Sequence, residues 1–334
     1  MQRRQVLEVA FGALALGAVA GCVPRAARKG ASAAPAALAT SASSPMDAAA
    51  FHASRQFVQT PFGRIAYVSR GSGDTALFLH GFPLNGFQWR GALDRLSPHR
   101  RCIAPDSMGL GYSEIPEHQS VTPDAQVAML ATLLDALSIS SVDLVASDSG
   151  GAIAQLFVTR HPERVRTLLL TNCDVEPDSP PPAVLPVVAL ARAGKFADQW
   201  LAPWVADKAL ARSEKGLGGM TFTYPDHPTD EAIDCYLGPL VSSPQRKALV
   251  NAYAAGLDPN PLAGIESALE RCTVPTRIVW GMGDTIFSPA SPDYLDRTLP
   301  HSLGVRRIEG AKLFFPEEFP DVIAAEALRL WGRA

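Results

Sequence analysis

The chain runs to 334 residues, enough for one large domain or two small ones, and its 30 lysines and arginines against 33 aspartates and glutamates leave a formal net charge of −3. That balance argues for neither nucleic acid nor an acidic polymer as partner. One large domain of catalytic type is the economical reading of such a length.

Two arginines, Arg3 and Arg4, precede an apolar stretch from Val9 to Ala20 that is too short to span a membrane and suits a signal peptide of the twin-arginine kind. The stretch ends Val19-Ala20-Gly21-Cys22, which resembles the lipobox of bacterial lipoproteins, where the cysteine is acylated after cleavage. The resemblance implies a signal peptide over 1–22 and a protein exported and lipid-anchored at Cys22 on the periplasmic face of the cell envelope. Residues 23–53, rich in Ala, Ser and Pro, then read as a flexible tether. Cys102, Cys173, Cys235 and Cys272 would sit where disulfides are permitted, but their spacing matches no metal site. Cys102 and Cys173 fall in or at the ends of core strands and read as buried thiols.

Strands are predicted at Phe57 to Gln59 and Arg64 to Ser69 around a Thr60-Pro61-Phe62-Gly63 turn, giving the sheet an antiparallel start. Buried strands follow at Thr75 to Leu79 and Arg101 to Pro105. A helix is predicted over Pro123 to Leu137, with Thr122 as N-cap and Val127, Leu130, Leu134 and Leu137 on one face. The alternation continues with a strand from Val142, a helix from Gly151 to His161 and a strand from Val165 to Thr171. Such alternation argues for an α/β fold with a mostly parallel sheet and helices on both faces. Residues 175–271 lose it and read as an inserted, mostly helical lid. The sheet resumes at Thr276 to Trp280 and Gly304 to Ile308, and an amphipathic helix spans Pro320 to Trp331. The predicted core is therefore 54–174 with 272–334.

The most informative segment is Val142-Asp143-Leu144-Val145-Ala146-Ser147-Asp148-Ser149-Gly150-Gly151, a strand running into a sharp turn and a helix. Such an elbow lifts one side chain into a cleft and needs small residues beside its apex, here Ala146 and Gly150. At this point the chain resembles the α/β-hydrolase fold, in the branch of haloalkane dehalogenases and epoxide hydrolases, where Asp stands in place of Ser. The resemblance extends over roughly Phe57 to Trp331. It implies Asp148 as nucleophile, the N–H groups of Phe82 and Ser149 as oxyanion hole after His80-Gly81-Phe82-Pro83, and Asp284 after the seventh strand as the supporting acid. Asn172 occupies the alternative acid position, with Asp174 a weaker candidate two residues on. His80 shapes its loop in this reading, and Asp106 to Ser113 form a structural loop.

A register one residue later would put Ser149 at the apex, but both glycines and the strand register favour Asp148. A serine also needs a base, whereas an aspartate is already ionised at neutral pH. That base is the point of departure. The family's last strand leads to Gly-Ala-Gly-His-Phe and an acidic pair; here it leads to Gly310-Ala311-Lys312-Leu313-Phe314-Phe315-Pro316-Glu317-Glu318, with Leu313 at the histidine position. Lys312 is a poor substitute, because a lysine beside Asp284 has its charged form favoured. The tryptophan that follows the nucleophile in the dehalogenases is Ser149 here. Three lid tyrosines, Tyr224, Tyr236 and Tyr253, are the candidates for substrate contact. The sequence thus implies a hydrolase of a small, largely apolar ester, epoxide or organohalide with an altered base, needing neither cofactor nor metal. The alternative is a catalytically silent binding protein of the envelope that kept the pocket.

Overall fold

The computed structural model describes residues 46–333. Its sheet has eight strands in the order β1-β2-β4-β3-β5-β6-β7-β8, where β1 is Arg55–Thr60, β2 Gly63–Arg70, β3 Thr75–Leu79, β4 Arg101–Pro105, β5 Val142–Asp148, β6 Val165–Cys173, β7 Thr276–Gly281 and β8 Ser302–Ile308. The first two pairings, β1 with β2 and β2 with β4, are antiparallel, and the rest are parallel. β3 and β5 are buried at every residue, as expected of parallel strands covered on both faces. The edge strand β1 keeps only Thr60 buried.

The helices between the strands are α2 (Arg90–Leu96), α3 (Pro123–Ala136) and α4 (Ser149–Arg160), after an initial α1 (Ala48–Ala53). α3 packs on α4, and α4 on β5 and β6. The closing helix Pro320–Leu330 packs on α2 and β7. Between β6 and β7 the chain forms short helices, the longest being Asp230–Val241 and Pro244–Ala255. This insert is fastened to the core by its polar groups. Asn85 Nδ2 donates to the Cys235 carbonyl at 2.8 Å, and Arg246 Nη1 to that of Ser113 at 2.8 Å. Glu318 accepts from the N–H groups of Thr223 and Tyr224.

Several predicted boundaries move. The expected tether over 23–53 does not reach its predicted end, because Ala48–Ala53 is helical, capped by Asp47, and buries Phe51 against Phe87. Residues 1–45, with the predicted signal peptide and Cys22, lie outside the described residues. α4 begins at Ser149, two residues early, since Asp148 caps it, and ends at Arg160, where Pro162 blocks continuation. β6 runs on to Cys173, two residues past its predicted end. Cys102, Cys173, Cys235 and Cys272 are buried free thiols. Among the described residues no helix is long and apolar enough to cross a membrane.

Candidate active site

β5 delivers Asp148 to the elbow with φ 56° and ψ −133°, a left-handed conformation for a residue with a Cβ. Strain of this kind costs about 1–3 kcal/mol and persists only where the surroundings enforce it. They do so here by crowding. A Cβ at Gly150 would come within 2.6 Å of the His80 carbonyl oxygen, and one at Gly81 within 2.7 Å of the Asp148 Cβ. Glycine at both positions therefore lets the loop after β3 press against the apex of the elbow.

That approach fixes the carboxylate. Asp148 Oδ1 accepts from the N–H of Phe82 at 2.8 Å and from that of Ser149 at 2.5 Å. Oδ2 makes no hydrogen bond among the described residues and is left facing the cavity. Burial pushes the Asp148 carboxyl up to about 6, against the pull of the two N–H donors. The group is thus mostly ionised at neutral pH. The Ser149 hydroxyl hydrogen-bonds with Tyr253 Oη at 3.1 Å. His80 is buried, its Nε2 accepting from the Ser107 N–H at 3.0 Å, so Nδ1 carries the hydrogen and donates to the Gly81 carbonyl at 2.9 Å. Burial lowers its pKa, and with both nitrogens engaged the ring holds the loop.

The cavity in front of Asp148 has a volume of about 190 Å³ and is lined largely by insert residues. Phe82, Phe196, Trp200, Trp204 and Phe287 are the aromatic part of its mostly apolar walls, and Asp148, Ser149 and Asp174 are among its polar lining. Trp200 and Trp204 pack as a tilted pair with ring centroids 5.5 Å apart. Their i, i+4 spacing in the insert was the sequence signal that would have found them. Leu313 is buried in the same wall. Among the described residues no histidine lines this cavity.

The other predicted residues distribute unevenly. Asp284 sits after β7, its carboxylate accepting from Asn172 Nδ2 at 2.8 Å and the Ile286 N–H at 2.8 Å, and it borders a separate, open pocket rather than the Asp148 cavity. Burial raises its pKa. Lys312 donates its Nζ to the Gly219 carbonyl at 2.6 Å and stays out of the cavity. Asp174 lines it.

The expectation that the three tyrosines touch substrate is corrected by their positions, since none lines the cavity. Tyr224 is 60 % exposed and edges onto Phe319. Tyr236 is wholly buried, donating to Glu317 Oε2 at 2.7 Å while accepting from Arg90 Nη1 at 3.2 Å. It completes the buried Arg90–Glu317 pair (2.8 Å) that ties insert to core. Tyr253 stacks on the far side of Phe82 at 5.5 Å and reaches Ser149 from behind. In each case a polar partner or an aromatic neighbour elsewhere outcompetes the cavity for the ring.

Comparison with known proteins bears on the fold. The family model described as alpha/beta hydrolase fold matches residues 77–319. Haloalkane dehalogenase 2 of Mycobacterium bovis is 26% identical over 275 residues, which cover 81% of this chain and 92% of that protein. Epoxide hydrolase 3 of Mus musculus is 26% identical over 270 residues, covering 77% and 71%. A solved haloalkane dehalogenase loop variant from Bradyrhizobium elkanii has the same fold, with a TM-score of 0.69 at 24% identity over 84% of this chain and 97% of its own.

Proposed function

The chain belongs to the alpha/beta hydrolase fold family, and from that premise we propose that it hydrolyses a small, largely apolar epoxide or organohalide through Asp148 as carboxylate nucleophile. The carrying observation is the division of labour in one carboxylate: Oδ1 is held by two N–H groups and Oδ2 is free toward an apolar cavity. Oδ2 attacks an sp³ carbon, the halide or epoxide oxygen leaves with the bonding electrons, and an alkyl ester of Asp148 forms. No base is needed for this step. Hydrolysis follows when water attacks Cγ, and the negative charge then develops on Oδ1, already between the Phe82 and Ser149 N–H groups.

The cavity's roughly 190 Å³ falls below the range of drug-sized pockets, so the substrate is small. With Leu313 where the family has a histidine, loss of the ester is the slower half. Exposure to styrene oxide or n-butyl bromide should add the mass of the alkyl group to the intact protein, mapped to Asp148 and absent from Asp148→Asn. The silent-binder reading has Leu313 in its favour; it requires that Asp148→Asn bind the same compounds as the parent and that neither protein be alkylated. Anchoring through Cys22 belongs to the same proposal and rests on the lipobox-like run alone.

A further inference from the structure

The polar lining of the cavity holds a second carboxyl with no assigned part. β5 and β6 pair in a register that sets Cys173 opposite Asp148, so the next residue, Asp174, brings its side chain to the same cavity. The turn is fixed from behind, because Gln155 Nε2 donates to the Asp174 carbonyl at 2.8 Å. Asp174 is 7 % exposed; its Oδ1 accepts from Ser179 Oγ at 2.8 Å, and Oδ2 makes no hydrogen bond among the described residues. Of the described residues lining the cavity, Asp148 and Asp174 are the only ionisable ones.

Two carboxylates buried in one apolar space cannot both ionise without a large penalty, so one proton is favoured on the pair. Burial, and then the charge of Asp148, push Asp174 up to about 7, against about 6 for Asp148. Two N–H groups stabilise the charge on Asp148 and a single hydroxyl that on Asp174, so Asp174 is the better placed of the two to hold the proton. This is the arrangement of a nucleophile beside an acid. Of the hydroxyls in the lining, that of Thr221 donates to the Leu217 carbonyl and that of Ser149 bonds to Tyr253 Oη.

We propose that Asp174 is the catalytic acid and base of this site, taking the place left by the histidine. The inference rests on the reading of Asp148 as nucleophile. With an epoxide, Asp148 Oδ2 attacks the less hindered carbon, the C–O bond breaks, and its oxygen takes the proton of Asp174. The products are a hydroxyalkyl ester on Asp148 and an ionised Asp174. In the second half, Asp174 takes one proton of a water as the water oxygen bonds to Cγ. The tetrahedral species then collapses with cleavage of the Cγ–Oδ2 bond, and the departing alkoxide takes that proton back. Asp148 is left as the acid, bearing the water's oxygen, and passes its proton to Asp174. Epoxide and water have become a diol, and the pair has regained its single proton.

The experiment follows ester formation and loss on the full-length protein by quenched intact mass, with styrene oxide and n-butyl bromide as probes. In Asp174→Asn the bromide, which needs no acid, should alkylate Asp148 at close to the parent rate. Loss of that ester should slow by about 10²-fold or more, the usual worth of general-base help. With styrene oxide, alkylation itself should slow by a similar factor. An Asp174→Asn protein that clears its butyl ester as fast as the parent overturns the proposal and leaves Asp148 as nucleophile intact. Absence of any adduct from either probe overturns both. Should Asp174→Asn not fold, the parent alone decides. Once Asp148 is esterified, the ionisable groups left beside Asp174 are Cys173, Asp178 and Tyr253. Ester loss should then fall as pH drops through the ionisation of Asp174, and a profile that stays flat over the whole acid range in which the protein remains folded refutes the role.

Discussion

Replacing Asp148 with Asn isolates the cost of keeping a charge at the elbow. Burial raises its pKa from 3.8 to about 6, a difference of about 2 units and so about 3 kcal/mol at 1.36 kcal/mol per unit. The sign follows from proton binding. Between the two values the folded state holds more protons than the unfolded one, so the native protein loses stability as pH rises from about 4 to about 6, and the full penalty stands above that. Asn keeps an oxygen for the Phe82 and Ser149 N–H groups and never ionises. Its stability relative to the parent should accordingly rise by about 3 kcal/mol between about pH 4 and about pH 8, whatever constant offset the new amide introduces. Asp174 adds to the trend, since without the charge of Asp148 its own pKa falls. Denaturant titration of both proteins across that pH range reads the difference directly. A gap that stays flat with pH, or shrinks as pH rises, refutes the buried-charge account of the site.

The remaining predictions test the base, the elbow and the anchor. Leu313→His puts an imidazole in the cavity wall, and loss of a butyl ester from Asp148, followed by intact mass, should accelerate at least about tenfold, general-base help being worth on the order of 10² and Asp174 supplying part of it already. Unchanged ester loss in a folded variant would place the base elsewhere. Gly150→Ala forces a Cβ to within 2.6 Å of the His80 oxygen and 2.8 Å of the Leu79 oxygen, both backbone. It should cost about 1–3 kcal/mol or more, seen as a lowered melting temperature, with loss of alkylation. Cys22→Ser should move the protein from the membrane fraction to the soluble fraction on centrifugation of cell extracts; co-sedimentation like the parent's would end the anchor reading.

What could be read from the sequence was what local chemistry dictates. The elbow was legible because only small residues fit beside its apex, and the steric contacts at Gly150 and Gly81 are the same constraint in coordinates. The parallel sheet was legible because strands covered on both faces are continuous apolar runs, as β3 and β5 are. Asp174 was visible only as a residue near a family position, because its approach to Asp148 depends on β6 running two residues past its apparent end. The three tyrosines were misjudged because the insert has no periodic pattern to orient them. Tyr236 answers to Glu317 and Arg90, residues far away in sequence. The tether's end was misjudged because alanines that suit a linker suit a helix equally once Asp47 caps it and Phe51 finds a core.

Asp284 and Asp148 are both acids at family positions, yet they argue differently about whether catalysis survives without the histidine. Asp284 has structural work that needs no imidazole: it ties Asn172 to the loop after β7 and accepts the Ile286 N–H. Its presence therefore says little about chemistry. Asp148 has no comparable return. It holds a left-handed backbone worth about 1–3 kcal/mol of strain and a buried charge worth about 3 more, while its Oδ2 bonds to nothing in the described structure. A serine or glycine at the apex would relieve the charge and still fit the turn, and a binding pocket would be no worse for it. A carboxylate that lowers stability and leaves an oxygen free beside an apolar cavity is accounted for by attack on a carbon, which is why the hydrolase reading stands ahead of the silent binder.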